Sequence, residues 1–387
     1  HPDDERYQPL FGTIVRTPLF DVEVPVLAHT LAQPDKGSGI AMICTFGDVT
    51  DIIWWRELDL PNRTIVGKDG RLLTETPEAI TSEAGIAAYD ELGGKTIFSA
   101  KKRIVEMLQE SGAMTDDPKP FTHAVKFFEK GDRPLEIVST RQWYIRNGAR
   151  DESLRSKLIE LGQQLSWHPD FMRVRYENWV GGLTGDWLVS RQRFFGVPIP
   201  VWYGLDEQGE RDYDRVIVPE TAALPIDPTT DVPAGYTEAQ RGVAGGFEAE
   251  ADIFDTWATS SLTPQLAGGW QRDPELWNLV APFDLRPQGQ DIIRTWLFST
   301  MLRSALEDNR APWSDAAISG FIVDPDRKKM SKSKGNVVTP ADVLAQHGSD
   351  AVRYWAASSR LGTDAAFDPQ NPTQIKIGRR LAIKVLN

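Results

Sequence analysis

Arg327-Lys328-Lys329-Met330-Ser331-Lys332-Ser333-Lys334-Gly335-Asn336 is the stretch on which the reading of this chain turns. Five of its first eight residues are basic, although the chain as a whole is acidic. Upstream, Ile318-Ser319-Gly320-Phe321-Ile322-Val323 reads as a short apolar strand and Asp324-Pro325-Asp326 as a turn. Downstream, Thr339-Pro340-Ala341-Asp342 reads as a helix start, with Thr339 as N-cap and Pro340 at the first helical position. The lysines are therefore expected on a loop between a strand end and a helix, where α/β proteins grip nucleotide phosphates. Ser331, Ser333 and Gly335 are small enough to let backbone approach a polyphosphate, and the ammonium groups act as movable point charges. A solvated basic loop has the same composition, so the run alone does not choose.

Working outward, Pro287-Gln288-Gly289-Gln290-Asp291 precedes a helical pattern with apolar Ile292, Ile293, Trp296, Leu297 and Met301. A glycine before a helix N-terminus permits close approach of a nucleotide, and Asp291 can accept hydrogen bonds from ribose hydroxyls. An ordinary helix cap is the other reading. Ile97, Ala100, Ile104 and Leu108 place an amphipathic helix over 97–114, with Gly112 as its stop. Thr13-Ile14-Val15, Val22 to Leu27 and Gly39 to Cys44 read as short strands of a β-rich segment, followed by a helix-like run from Ile52 to Leu58. Residues 204–250 read as a surface hairpin and linker insertion, and 342–387 as further helices with Gly348 as a stop.

The 387 residues suggest two or three domains. A balance of 43 Lys+Arg against 55 Asp+Glu, net −12, argues against a surface that coats nucleic acid indiscriminately but permits a local basic groove. Cys44 is the single cysteine, which excludes a disulfide framework and a thiolate zinc site. No run of about 18 apolar residues suggests a membrane span. The start, His1-Pro2-Asp3-Asp4, has no initiator Met and no leader character, so an internal piece of a longer, cytoplasmic protein is expected.

Lys329-Met330-Ser331-Lys332-Ser333 resembles, letter for letter, the lysine signature of class I aminoacyl-tRNA synthetases, and Gly335-Asn336 follows it as in the valine, isoleucine and leucine enzymes. The resemblance implies Lys329 and Lys332 as catalytic residues, the latter meeting the pyrophosphate charge as the amino acid attacks ATP. Gly289, Asp291, Met330, Ser331 and Ser333 are implied as ATP contacts. Trp179 to Tyr203 resembles the stretch where the family's Rossmann core resumes, with Phe195 where an aromatic residue, usually Trp, lines the amino-acid pocket. Asp255-Thr256-Trp257 resembles the family's Asp-Thr-Trp element near that pocket, so Asp255 and Trp257 are assigned there, and this wording favours the valine branch. The stretch 37–51 resembles the editing segment of the valine and isoleucine enzymes. Asp51 falls by spacing at the aspartate that holds a misattached amino acid, with Cys44, Thr45 and Asp48 beside it. A helix N-cap pair is the competing reading of Asp48 and Asp51. Phe128 to Arg133 stands where many relatives carry a cysteine zinc knuckle, so no zinc or other metal site is expected, and His123 reads as structural.

The implied fold is α/β. It comprises the second half of a class I Rossmann catalytic domain, part of a β-rich inserted editing domain and C-terminal helices. The implied divisions are 1–140 (editing and connector), 141–340 (catalytic) and 341–387 (stem contact and the start of an anticodon-binding bundle). The implied activity is ATP-dependent charging of tRNA(Val) with valine, ATP arriving with Mg2+, and hydrolytic editing of Thr-tRNA(Val), in a full-length enzyme that is monomeric. None of His1, His29, His123, His168 or His347 forms the family's His-x-Gly-His signature, so this chain alone is expected to be inactive in synthesis. The alternatives are an isoleucine enzyme or a non-catalytic tRNA-binding or editing paralogue.

Overall fold

A computed structural model describes residues 1–43, 49–114, 116–119, 122, 125, 127, 134–331 and 335–387, and only the backbone of Val49. The chain divides into two compact units, His1–Arg141 and Gln142–Asn387.

In the first unit, strands β1 (Ile14–Arg16) and β2 (Glu23–Pro25) pair as an antiparallel hairpin. Three helices follow, α1 (Val49–Glu57), α2 (Glu83–Asp90) and α3 (Ile97–Glu110). The α3 sequence starts at a Thr96 cap, whose hydroxyl accepts from Ser99 N–H, and stops before Gly112, which takes φ +70°. Its Ala100 and Met107 join Leu72 and Leu92 in a small core. The expected strand from Gly39 is not formed through Ile43, the last described residue before 49. Ile40 and Met42 are exposed there, and among the described residues the β1–β2 hairpin pairs with no further strand. Among the described residues this unit is therefore more helical than β-rich.

The second unit opens with β3 (Tyr144–Ile145), α4 (Glu152–Gln164), β4 (Ser166–His168), α5 (Arg173–Gly181), β5 (Trp187–Leu188) and β6 (Ser190–Arg191). Next come β7 (Trp202–Leu205), β8 (Arg211–Ile217), β9 (Phe247–Ala249), β10 (Ile253–Phe254), and helices α6 (Thr256–Ser260), α7 (Thr263–Ala267) and α8 (Pro274–Val280). The remainder is β11 (Phe283–Gly289), α9 (Phe298–Glu307), β12 (Trp313–Ser319), β13 (Ile322–Val323), α10 (Ala341–His347), α11 (Ser349–Ala357), β14 (Ala365–Ala366) and α12 (Thr373–Leu386).

Its centre is a three-stranded parallel sheet in the order β11-β12-β4. Along β12, Trp313, Ala316 and Ile318 are buried, so the middle strand feeds the core. Helix α4 begins at Asp151, whose carboxylate accepts from Leu154 N–H at 3.1 Å. Its Leu154, Leu158 and Leu161 recur at helical spacing and bury against Trp167, Tyr176, Leu297 and Met301. Gly162 is required where α4 meets Tyr176, because a Cβ there would overlap the ring.

Residues 204–250, expected as hairpin and linker, supply β8 and β9, which flank β7 in the antiparallel sheet β8-β7-β9 with Trp202, Leu205 and Phe247 buried. Glu250 anchors it. This buried carboxylate accepts from the Tyr203 hydroxyl (2.7 Å), the Trp143 indole (2.9 Å) and Asp252 N–H (2.8 Å). Burial pushes its pKa up, but the three donors outweigh that and leave it below the usual range.

Candidate functional site

The last register pair of β11 and β12 is Gly289 with Ser319, so the chain segments leaving both strands emerge side by side at their C-terminal ends. Open parallel sheets bind ligands at that end. From β11 emerges the Gly289-Gln290-Asp291 turn. A Cβ on Gly289 would lie 2.7 Å from the Asp291 carboxylate, so glycine is what lets that side chain fold back over the turn. Asp291 is exposed, as a ribose acceptor must be. The helix expected here winds as one 3₁₀ turn (Gln290–Ile292) and one π turn (Ile293–Leu297) before α9, a wide turn often found at functional sites.

From β12 emerges the lysine arm. The expected strand 318–323 is divided between β12 and β13, and Gly320 at the break passes the Thr363 carbonyl so closely that a Cβ would overlap it, so only glycine fits there. Beyond Gly320, β13 pairs in parallel with β14. The turn from Asp324 is built by its own buried carboxylate, which accepts from Lys328 N–H at 2.7 Å and from the Asn336 amide at 2.8 Å. Those two donors hold its pKa below the ordinary aspartate value, Lys328 N–H first. Arg327 sits at φ +61°, and Val323 bridges back to Lys329.

Asn336 closes the loop from its far side, accepting from Ser331 N–H at 3.0 Å and donating to the Lys329 carbonyl at 3.3 Å. The Met330 sulfur accepts from Val338 N–H at 3.2 Å. The exposed Lys329 Nζ rests 4.3 Å from the centre of the Phe321 ring, a cation–π seat. Lys332 and Ser333 lie outside the described residues. Helix α10 begins at Ala341 with Pro340 flanking it and no side-chain cap, so the Thr339 cap is not formed.

The other expected site residues fall elsewhere. Asp255 is buried and caps α6 through Trp257 N–H at 3.0 Å. Its second oxygen accepts from Trp187 Nε1 at 3.2 Å and forms an ion pair with Arg191. Both oxygens are thus engaged in fixing Trp257, Trp187 and Arg191. Phe194 and Phe195 are almost fully exposed. In the first unit, Asp51 lies in the first turn of α1 and not at its cap, while Cys44, Thr45 and Asp48 lie outside the described residues, as do His123 and 128–133.

Sequence reasoning passed over three groups: Asp364, Glu250 and Arg286. Arg286 is buried on β11, its guanidinium 3.3 Å from the Trp296 ring centre and 4.8 Å from that of Trp313. Burial pulls its pKa down to about 10. An arginine within a strand pattern, with tryptophans ten and 27 residues on, follows no spacing rule that would have flagged it.

A family model for the class I tRNA synthetases of isoleucine, leucine, methionine and valine matches residues 10–368. The chain belongs to the class I aminoacyl-tRNA synthetases. Among curated class I synthetases, the valine–tRNA ligase of Leifsonia xyli is 75% identical over 387 residues, covering all of this chain and 45% of that protein. The valine–tRNA ligase of Thermobifida fusca is 66% identical over the same length, covering 44% of its own. The chain thus spans a little under half the length of these relatives. A LeuRS–tRNA–LeuAMS complex from Agrobacterium radiobacter K84 aligns over 52% of the chain and 27% of its own, at 21% identity and a TM-score of 0.42. No helix among the described residues is long and apolar enough to cross a membrane.

Proposed function

We propose that this chain is the part of a valine–tRNA ligase that supplies the lysine half of its ATP site. The observation that carries the reading is the register of Gly289 with Ser319, which brings the Gly289–Asp291 turn and the lysine arm out of adjacent parallel strands at one end. ATP, entering with Mg2+ as a substrate complex, would lay its ribose against Asp291 and its phosphates along the lysine arm. Lys329 and Lys332 would then meet negative charge as it develops on the departing pyrophosphate, where a fixed cation lowers the barrier most. Met330, Ser331 and Ser333 would line the nucleotide through their backbone. Valine is the amino acid supported by the relatives, with Trp257, held by Asp255, and Phe195 as its pocket residues. The tRNA(Val) would receive it.

Editing of Thr-tRNA(Val) is proposed for the first unit, with Asp51, Asp48, Thr45 and Cys44. Threonine is nearly isosteric with valine, and an apolar pocket rejects an added hydroxyl poorly, a rule for which valine enzymes are the standard case.

The test is single-turnover adenylate formation by the full-length protein. Lys332→Ala is expected to slow it on the order of 10²–10³-fold with little change in valine affinity. A rate within a few-fold of wild type would mean that the arm is only a solvated loop, and activation of isoleucine in preference to valine would reassign the substrate.

A further inference from the structure

Backbone pairing between β11 and β12 ends at Gly289 and Ser319, so the sheet does not set the spacing between the turn and the lysine arm beyond that point. A single carboxylate spans the gap. Asp364 Oδ1 accepts from the Gln290 side-chain amide at 3.1 Å and from Phe321 N–H at 2.8 Å. Gln290 is buried, so its amide has little water to fall back on.

Asp364 is itself fixed in the chain. Gly362 N–H donates to the Ile318 carbonyl at 2.7 Å, Ala365 N–H to Phe321 at 2.9 Å and Phe367 N–H to Val323 at 3.0 Å. Phe321, the residue Asp364 holds, carries the Lys329 ammonium on its ring. One oxygen thus ties the residue after Gly289 to the residue that seats the first lysine.

We propose that Asp364 is a positioning residue that sets the distance between the nucleotide turn and the lysine arm for adenylate formation. This rests on reading those two elements as the ATP site. The carboxylate touches neither substrate nor reacting atoms. It acts by keeping ribose-side and phosphate-side contacts in register, and misplacement by about 1 Å can cost on the order of 10²-fold in rate.

The experiment measures single-turnover adenylate formation and the Michaelis constants for ATP and valine in the full-length protein, with thermal melting alongside. Asp364→Ala is expected to lower the rate at saturating ATP by about 10- to 100-fold, with the valine constant unchanged. Asp364→Asn keeps an oxygen acceptor for both donors and should stay within a few-fold of wild type.

Gln290→Glu sets two carboxylates against each other and should be slow. Adding Asp364→Asn to it restores a donor–acceptor pair of reversed polarity and should recover the rate by about tenfold, a rescue that general destabilisation does not predict. If Asp364→Ala fails to fold, the Gln290→Glu single and double variants decide. Wild-type rate in a folded Asp364→Ala, or no recovery in the double variant, overturns the proposal. Lys332→Ala run in parallel separates the two levels. If it slows the reaction while Asp364→Ala does not, only the positioning role is lost. If it leaves the rate unchanged, the site reading falls and this role with it.

Discussion

Gly320→Ala tests how the lysine arm is held. A Cβ at Gly320 would lie 2.6 Å from Asp364 N and overlap the Thr363 carbonyl, and both neighbours are backbone that no rotamer can move aside. The two segments must therefore separate. Forced overpacking of this kind costs about 1–3 kcal/mol. Separation also weakens the Ala365–Phe321 and Phe367–Val323 hydrogen bonds, each worth about 1 kcal/mol. Alanine returns about 0.4–1 kcal/mol by restricting the unfolded chain. The net local loss is about 3 kcal/mol, which is on the order of 10²-fold in the opening equilibrium.

Amide hydrogen exchange of the full-length protein, read at Ala365 and Phe367, should speed up by that factor while amides of α4 keep their protection. Gly181→Ala is the control, because nothing lies within 4 Å of its added methyl. It should leave exchange at Ala365 unchanged. Unaltered protection at Ala365 and Phe367 in Gly320→Ala would refute the view that this close approach pins the arm.

Asp51→Ala in the full-length protein should leave valine charging nearly intact but let Thr-tRNA persist, measured as hydrolysis of preformed Thr-tRNA. Normal deacylation by a folded variant would remove Asp51 from the editing site. Leu158→Ala, at a fully buried position, should cost about 3–5 kcal/mol in denaturant unfolding of the second unit. A loss below 1 kcal/mol would contradict the core described. Glu250→Ala should cost about 3 kcal/mol or more by orphaning three donors, and Glu250→Gln less. Because the folded pKa of Glu250 is depressed, its contribution is present above about 4.5 and fades as pH falls through the lowered value. Glu250→Gln should flatten that part of the stability-versus-pH curve, and an unchanged slope in acid would count against the assigned state.

What the sequence made legible was local. Helix α3 carries its period and its Gly112 stop in its own stretch, so nothing distant was needed to place it. The lysine signature is equally self-contained. Reading failed where a partner far along the chain decides. Ile40, Met42 and Ile43 have strand composition, but among the described residues no strand pairs with them. The run 318–323 reads as one strand, yet it divides at Gly320, where the chain passes close to the distant Thr363. Asp324 and Asn336 are 12 residues apart and Gln290 and Asp364 are 74 apart, separations that no helical or strand period encodes.

The central sheet also governs how this unit must fold. Strands β11 and β12 are joined through a single helix, α9, and can find each other early. Strand β4 pairs with the same β12, yet His168 and Asp315, bonded across that pair at 2.7 Å, lie 147 residues apart. Closing so long a loop costs about 4 kcal/mol of chain entropy before any contact repays it. The β11–α9–β12 segment should therefore collapse first, leaving the apolar flank of β12 uncovered until β4 and α4 dock. During that interval Ala316 and Ile318 are exposed on a strand with an open edge, the condition under which chains associate with one another. Yield of soluble protein on refolding should then fall with concentration, and raising the dock-in rate of α4 should relieve it more than strengthening the already local β11–β12 pair.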